Sequence, residues 1–213
     1  MWPSPPQTQE MLDQARQGEP AAVDRLLDAH RAALRHVIDL RLDPALAGRV
    51  DASDVVQDVM LEVSQRLADY LRNPQMPFHL WVRHIAKDHM LDAHRRHRQA
   101  QRRSHDREQP IVPAGLAEQS SLELAGQFLD RELTPATAAV RRELQRRMEH
   151  AVAGLDEDDR EIILMRHYEQ LSNQEVATAL GLSEAAASMR HLRAVRRLRA
   201  ALLGEGDATG DSV

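Results

Sequence analysis

Cysteine is absent from the chain, glycine occurs only nine times in 213 residues, and aromatic residues make up 3%. Without cysteine there is no disulfide scaffold, thiolate zinc site, iron–sulfur cluster or cysteine nucleophile. No glycine sits in a G-x-G-x-x-G or G-x-x-x-x-G-K-[ST] setting, which argues against a nucleotide-phosphate loop. Two tryptophans, two tyrosines and two phenylalanines are too few for a base-stacking sheet of the RRM or OB kind. No run approaches the roughly 20 apolar residues that span a bilayer. The opening MWPSPPQTQE lacks the basic-then-apolar order of a signal peptide. A soluble, cytoplasmic protein without membrane insertion is expected.

What remains is helix-forming. Valine, isoleucine and the aromatics are thin beside alanine, leucine, glutamate, glutamine and arginine, so the fold class expected is all-α. The length suits one domain or two small ones. Net charge is −5, yet the charge is not spread evenly. Residues 79–107 carry eight Lys and Arg against three Asp, and residues 184–199 carry five Arg against one Glu. Two basic islands in an otherwise acidic chain point to two separate anion contacts.

Prolines divide the chain into blocks with helical period. A helix from Pro20 carries Val23, Leu26, Leu27, Leu34, Val37 and Ile38 on one face and ends at Asp43-Pro44. Asp51 is an N-cap candidate for a helix towards Leu71, with Val55, Val56, Val59, Met60, Val63 and Leu67 as its buried stripe. Asp54, Gln57, Asp58 and Leu61 fall together on the opposite side. After a loop at 73–77, a long helix starts near Phe78, with Leu80, Trp81, Ile85, Met90 and Leu91 as apolar positions. From 104 to 135 the period weakens among scattered prolines and glycines. That stretch reads as a linker with at most one short helix near 121–133. Residues 136–153 read as helix, Asp156 caps the next, and the last residues, 204–213, read as a disordered tail. The domains expected are therefore 1–103 and 136–203.

The strongest local pattern is LSNQEVATALGLSEAAASMRHLRAVRRL, ending at Leu198. Ser172 with Glu175 forms a capping box, Gly181 suits a left-handed helix end, and Ser183 caps a second, basic helix. Ala177 is small where two helices must cross. Together these describe a DNA-binding helix-turn-helix. With Ala187, Ala194 and Leu198 placed inward, Ala185, Ser188, Met189, Leu192 and Arg193 face the major groove. Arg190, Arg196 and Arg197 flank that stripe and suit phosphates, while Arg193 is the long donor able to bind a guanine bidentately.

These motifs, in this order, resemble the extracytoplasmic-function group of sigma-70 factors, the promoter-specificity subunits of bacterial RNA polymerase. DASDVVQDVMLEV is similar to the family's D-x-x-D-[LV]-V-Q-[DE] helix, and PFHLWVRHIAKDHMLDAHRRHR to its W-[LV]-x-x-I-A…D-x-x-R-R segment. The resemblance implies that Asp54, Gln57 and Asp58 dock on the β′ clamp helices of core polymerase. It implies that Asn73, Gln75, Trp81, Arg83, Lys87, Arg95, Arg96 and Arg98 lie at the −10 element. Of these, Lys87, Arg95, Arg96 and Arg98 suit phosphates, and the loop with Asn73, Gln75 and Met76 is where the family captures an unstacked base. Ala185, Ser188, Met189, Arg190, Leu192, Arg193, Arg196 and Arg197 would contact the −35 element. Implied partners are core RNA polymerase (β′ clamp helices and β flap), promoter DNA and an anti-sigma factor. The chain departs from the family at Asp88, where asparagine is usual, at Ser188, commonly Lys or Arg, and at His191, commonly aliphatic.

No enzyme, cofactor or metal is expected. His94 and His97 on an Arg-rich helix make a poor cation site. Asp156-Glu-Asp-Asp159 reads as an acidic first helical turn. The alternative reading is a two-domain helix-turn-helix regulator that is not a polymerase specificity subunit; such a protein has no need of the acidic 51–63 helix beside the tryptophan-bearing one.

Overall fold

Helix is the only regular secondary structure among the described residues, which are 2–19, 21–41, 51–101, 118–126, 128 and 138–204 of the computed structural model. The expected Pro20 start, the Asp43-Pro44 end, most of the expected linker and residues 205–213 of the expected tail lie outside them. The chain divides into two units, Met1–Glu108 and Gln109–Val213.

The first unit holds α1 (Pro5–Arg16), α2 (Ala22–Arg41), α3 (Ala52–Arg72) and α4 (Phe78–Gln101). Two prolines open α1, where the first N–H groups have no helical partner to lose. Asp51 caps α3 as expected: its carboxylate accepts the Ser53 N–H at 2.8 Å, and that bond holds the carboxyl below its ordinary range. The α3 stripe from Val55 to Leu67 is buried throughout, against Leu26, Leu34 and Ile38 of α2 and Phe78, Val82, Ile85 and Ala86 of α4. Val59 and Val63 are fully buried, each contributing roughly 1.5–3 kcal/mol in removal from water. Leu91, expected among the apolar positions, is instead 40% exposed, because at this turn of α4 Met90 and Ala93 face the core.

The second unit holds α5 (Glu118–Gly126), α6 (Ala138–Ala153), α7 (Glu157–Ile163), a π-turn (Leu164–Tyr168), α8 (Asn173–Leu180) and α9 (Glu184–Leu203). The short helix expected near 121–133 starts earlier, at Glu118, and packs on α6 and the π-turn. Its Leu124 and Ala125 are buried, and the Ser121 and Tyr168 hydroxyls are hydrogen-bonded at 3.2 Å. Burial pushes the Tyr168 phenol up to about 12. The π-turn has no periodic signature in sequence: Glu169 N–H reaches back five residues to the Leu164 carbonyl at 2.9 Å. The chain then turns through Gln170 at φ 60°, whose side-chain amide donates to the His167 carbonyl at 2.8 Å. Arg166 donates to the Leu171 carbonyl at 2.5 Å, strapping the same turn from the other side.

Candidate nucleic-acid interface

The helix-turn-helix forms from the local chemistry its sequence dictates. Ser172 Oγ accepts the Glu175 N–H at 3.2 Å while Glu175 accepts the Ser172 N–H at 2.7 Å, completing the capping box. Gly181 takes φ 63°, a conformation that a side chain would strain, and the Leu182 N–H returns to the Ala177 carbonyl at 2.9 Å. Ser183 then caps α9 by accepting the Ala186 N–H at 3.2 Å. Asn173 locks the two helices together by donating to the Glu184 carbonyl at 3.0 Å.

The rotation of α9 follows from its small and apolar residues. Ala187, Ala194 and Leu198 are fully buried. Opposite them Ala185, Ser188, Met189, Leu192, Arg193 and Arg196 are exposed, Met189 by 56% and Leu192 by 42%. A polar and apolar stripe of this width on the second helix of a helix-turn-helix fits a major groove. Among the described residues, none pairs with Arg193 or Arg196, so both guanidinium groups are open to solvent.

Arg190 and Arg197 are placed differently. Arg197 Nη1 reaches Asp156 Oδ2 at 2.6 Å and Asp159 Oδ2 at 2.5 Å, and Arg190 lies 3.5 Å from Asp158. The acidic first turn of α7 thus holds two arginines of α9, a role beyond the helix-start reading of Asp156–Asp159. Asp156 also caps α7 by accepting the Asp159 N–H at 2.9 Å. On the inner edge of α9, His191 Nε2 lies 2.9 Å from His167 Nε2 of the π-turn. Burial, its neighbour His191 and then Arg166 lower the His167 imidazole to about 4, and burial and Arg166 lower His191 as well. Both rings are therefore neutral at pH 7.

In the first unit Asp54, Gln57 and Asp58 are exposed on the side of α3 away from the core, and Leu61 beside them is 58% exposed. The loop between α3 and α4 leaves Asn73 and Gln75 exposed and Met76 half-buried. Tyr70 fixes that loop: its hydroxyl donates to the Met76 carbonyl at 2.9 Å. Trp81 stacks on Tyr70 with ring centroids 4.6 Å apart, and Phe78 meets Tyr70 edge-on at 5.4 Å. His30 and Trp2 extend the group, with His30 edge-on to Phe78 at 4.9 Å and Trp2 5.9 Å from His30. His30 is fully buried with its Nδ1–H donating to the Leu26 carbonyl at 2.7 Å; burial lowers its pKa. Four of the chain's six aromatic residues thus converge behind one loop. Sequence reasoning weighed their scarcity and missed their convergence, which links positions 2, 70, 78 and 81.

On α4 Lys87 is half-buried, and Arg95 is exposed with Asp92 at 3.5 Å. Arg83, expected on the DNA side, is 4% exposed and folded into the unit, because it shares the inward face with Val82 and Ala86. Arg96 and Arg98 lie outside the residues whose side chains are described. Glu62 ties α4 to α3, receiving Arg66 at 2.7 Å and His89 at 2.6 Å, and these two bonds hold its carboxyl below the ordinary range. Among the described residues no helix is long and apolar enough to cross a membrane.

Comparison with known proteins places these two units. Residues 25–100 match sigma-70 region 2, and residues 139–198 match sigma-70 region 4. The chain is 30% identical over 189 residues to the RNA polymerase sigma factor CnrH of Cupriavidus metallidurans, covering 89% of this chain and 91% of that protein. It is 32% identical over 156 residues to the probable RNA polymerase sigma factor RfaY of Xanthomonas campestris pv. campestris, covering 73% of this chain and 35% of that one. Among solved structures, CnrH in complex with the cytosolic domain of CnrY aligns with a TM-score of 0.56 at 25% identity, covering 93% of this chain and 97% of that one. The sigma factor RpoE in complex with the anti-sigma factor NepR from Bartonella quintana aligns with a TM-score of 0.50 at 20% identity over 91% and 99% of the two chains, a likeness of fold. A region 2 unit followed by a region 4 helix-turn-helix, with CnrH similar along nearly the whole chain, makes this chain an RNA polymerase sigma factor of the sigma-70 family, in its extracytoplasmic-function group.

Proposed function

We propose that the two units, 1–103 and 136–203, divide promoter recognition between them, with the intervening stretch as connection. The face of α3 with Asp54, Gln57, Asp58 and Leu61 docks on the β′ clamp helices. The loop with Asn73 and Gln75, backed by Trp81, receives the opened −10 strand, and Lys87, Arg95, Arg96 and Arg98 hold its phosphates. In the second unit α9 enters the −35 major groove with Ala185, Ser188, Met189, Leu192 and Arg193, and Arg196 lies against a phosphate. Arg190, Arg197 and Arg83 contribute chiefly by orienting their helices, since the first two are engaged by carboxylates and the third is buried.

The observation that carries this reading is the single exposed stripe of α9, opposite a fully buried one, on a helix-turn-helix whose caps are all made. The protein works as a subunit without catalytic residues of its own, in the cytoplasm where polymerase acts. The complexes of CnrH with CnrY and of RpoE with NepR support an anti-sigma factor as its regulator. Core RNA polymerase with and without the purified chain, given a genomic promoter library, tests the proposal. Initiation at defined start sites only with the chain present supports it; unchanged, random initiation overturns it.

A further inference from the structure

We infer that the contact between His167 and His191 is a neutral imidazole–imidazole hydrogen bond that sets the rotation of α9, making this pair a positioning element for −35 readout. The inference rests on the reading of α9 as the −35 helix. Its basis is geometric. The two Nε2 atoms are 2.9 Å apart, inside hydrogen-bond range, and the ring centroids are 5.1 Å apart. That centroid separation is close to the greatest such an N···N contact permits, so the rings face each other end-on. Two imidazoles bent around a common metal ion would converge at an angle instead, and among the described residues no three His, Asp or Glu side chains gather as a metal site.

One hydrogen must lie between the two nitrogens, and this fixes complementary tautomers. One ring carries its hydrogen on Nε2 and leaves Nδ1 bare; the other carries it on Nδ1 and accepts at Nε2. The His167 side is held in place by its own turn. His167 belongs to the π-turn, whose exit is pinned by Gln170 on the His167 carbonyl and by Arg166 on the Leu171 carbonyl. His191 sits about one turn from both Ala187 and Ala194, two buried residues whose short side chains interlock little with the core. Leu198 and the carboxylates that hold Arg190 and Arg197 also seat α9; the directional bond at His191 adds a restraint on its roll along the edge that meets the π-turn. A roll of α9 would carry Met189, Leu192 and Arg193 across the groove floor together, so the bond acts on sequence preference more than on overall affinity.

The test uses the full chain assembled with core polymerase on a library randomised over the −35 element, and the histidine-15N-labelled full chain for tautomers. His191→Leu keeps bulk without a ring nitrogen, and His191→Gln keeps an amide group able to reach His167. We expect complementary tautomers at neutral pH in the wild type. We also expect His191→Leu to reduce discrimination between the best −35 sequence and single mismatches about threefold to tenfold, the worth of one hydrogen bond, with His191→Gln restoring most of it. Identical tautomers on the two rings, or a His191→Leu preference that overlays the wild type while Arg193→Ala alters it, overturns the positioning role alone. An unaltered preference in Arg193→Ala overturns the −35 reading, and the inference with it.

Discussion

Replacing Arg197 with alanine separates two roles that a basic residue on a recognition helix can have. If the guanidinium neutralises a phosphate, its loss weakens binding to every sequence and lowers the salt slope by about one. The structure argues for the other role. Arg197 bridges two carboxylates of α7, and the Asp159 side chain is only 6% exposed. Removing one partner of a buried ion pair costs about 3–5 kcal/mol because the remaining charge is stranded. Here the Arg197 and Asp156 side chains are 57% and 55% exposed, so water screens much of the pair and the expected cost falls to about 1–2 kcal/mol. For a unit of this size that is a fall in melting temperature of roughly 5–10 °C. Chemical or thermal unfolding of the full chain measures it, and an Arg197→Ala/Asp159→Ala double-mutant cycle isolates the coupling. Promoter affinity measured across salt concentrations then completes the comparison, with the slope unchanged. Unaltered stability together with a slope reduced by about one would refute the reasoning and return Arg197 to the phosphate backbone.

Asp54→Ala with Asp58→Ala is expected to weaken association with core polymerase by roughly 1–3 kcal/mol in a pull-down or titration while leaving the melting temperature unchanged, because both side chains are exposed and off the core. Tyr70→Phe removes the hydroxyl that holds the Met76 carbonyl; it should cost about 0.5–1.5 kcal/mol of stability and slow promoter opening, read by permanganate footprinting, more than it weakens −35 contact. The second unit should lose stability on acidification. His167 falls from 6.5 to about 4 in the folded state, so the unfolded chain binds the proton first and stability declines as pH drops from about 6.5 towards 4. Allowing for the ring's partial exposure the loss is about 1–2 kcal/mol, and His167→Gln should flatten the curve in that interval.

The helix-turn-helix was legible because every one of its turns is made by local chemistry: Ser172 with Glu175, Gly181, Ser183 and the inward alanines each act within a few residues of themselves. The α3 stripe was legible for the same reason, since Val55 to Leu67 declare their face by period alone. What sequence did not reveal depends on partners far along the chain. Arg197 is on the outer side of α9 by angle, but Asp156 and Asp159, some forty residues earlier, decide what it touches. Arg83 belongs to a basic island by count yet faces inward by helical phase. The π-turn at Leu164–Tyr168 breaks the 3.6-residue period directly after the buried Ile162 and Ile163, and His167, which meets α9, lies within it. Trp2, Tyr70, Phe78 and Trp81 come together only when α1, α3 and α4 have packed.

The division of labour within the Asp156 carboxylate narrows what substitutions that position tolerates. Oδ1 accepts the helix-capping N–H of Asp159, and Oδ2 holds Arg197. At Ser172 and Ser183 a cap is all that is asked, and threonine, asparagine or aspartate would serve with little loss. At Asp156 serine or asparagine preserves the helix start and leaves Arg197 to Asp159 alone, while glutamate keeps the charge and gives up the short reach that capping needs. Any drift at this site therefore alters either the beginning of α7 or the bearing of α9, and aspartate alone satisfies both.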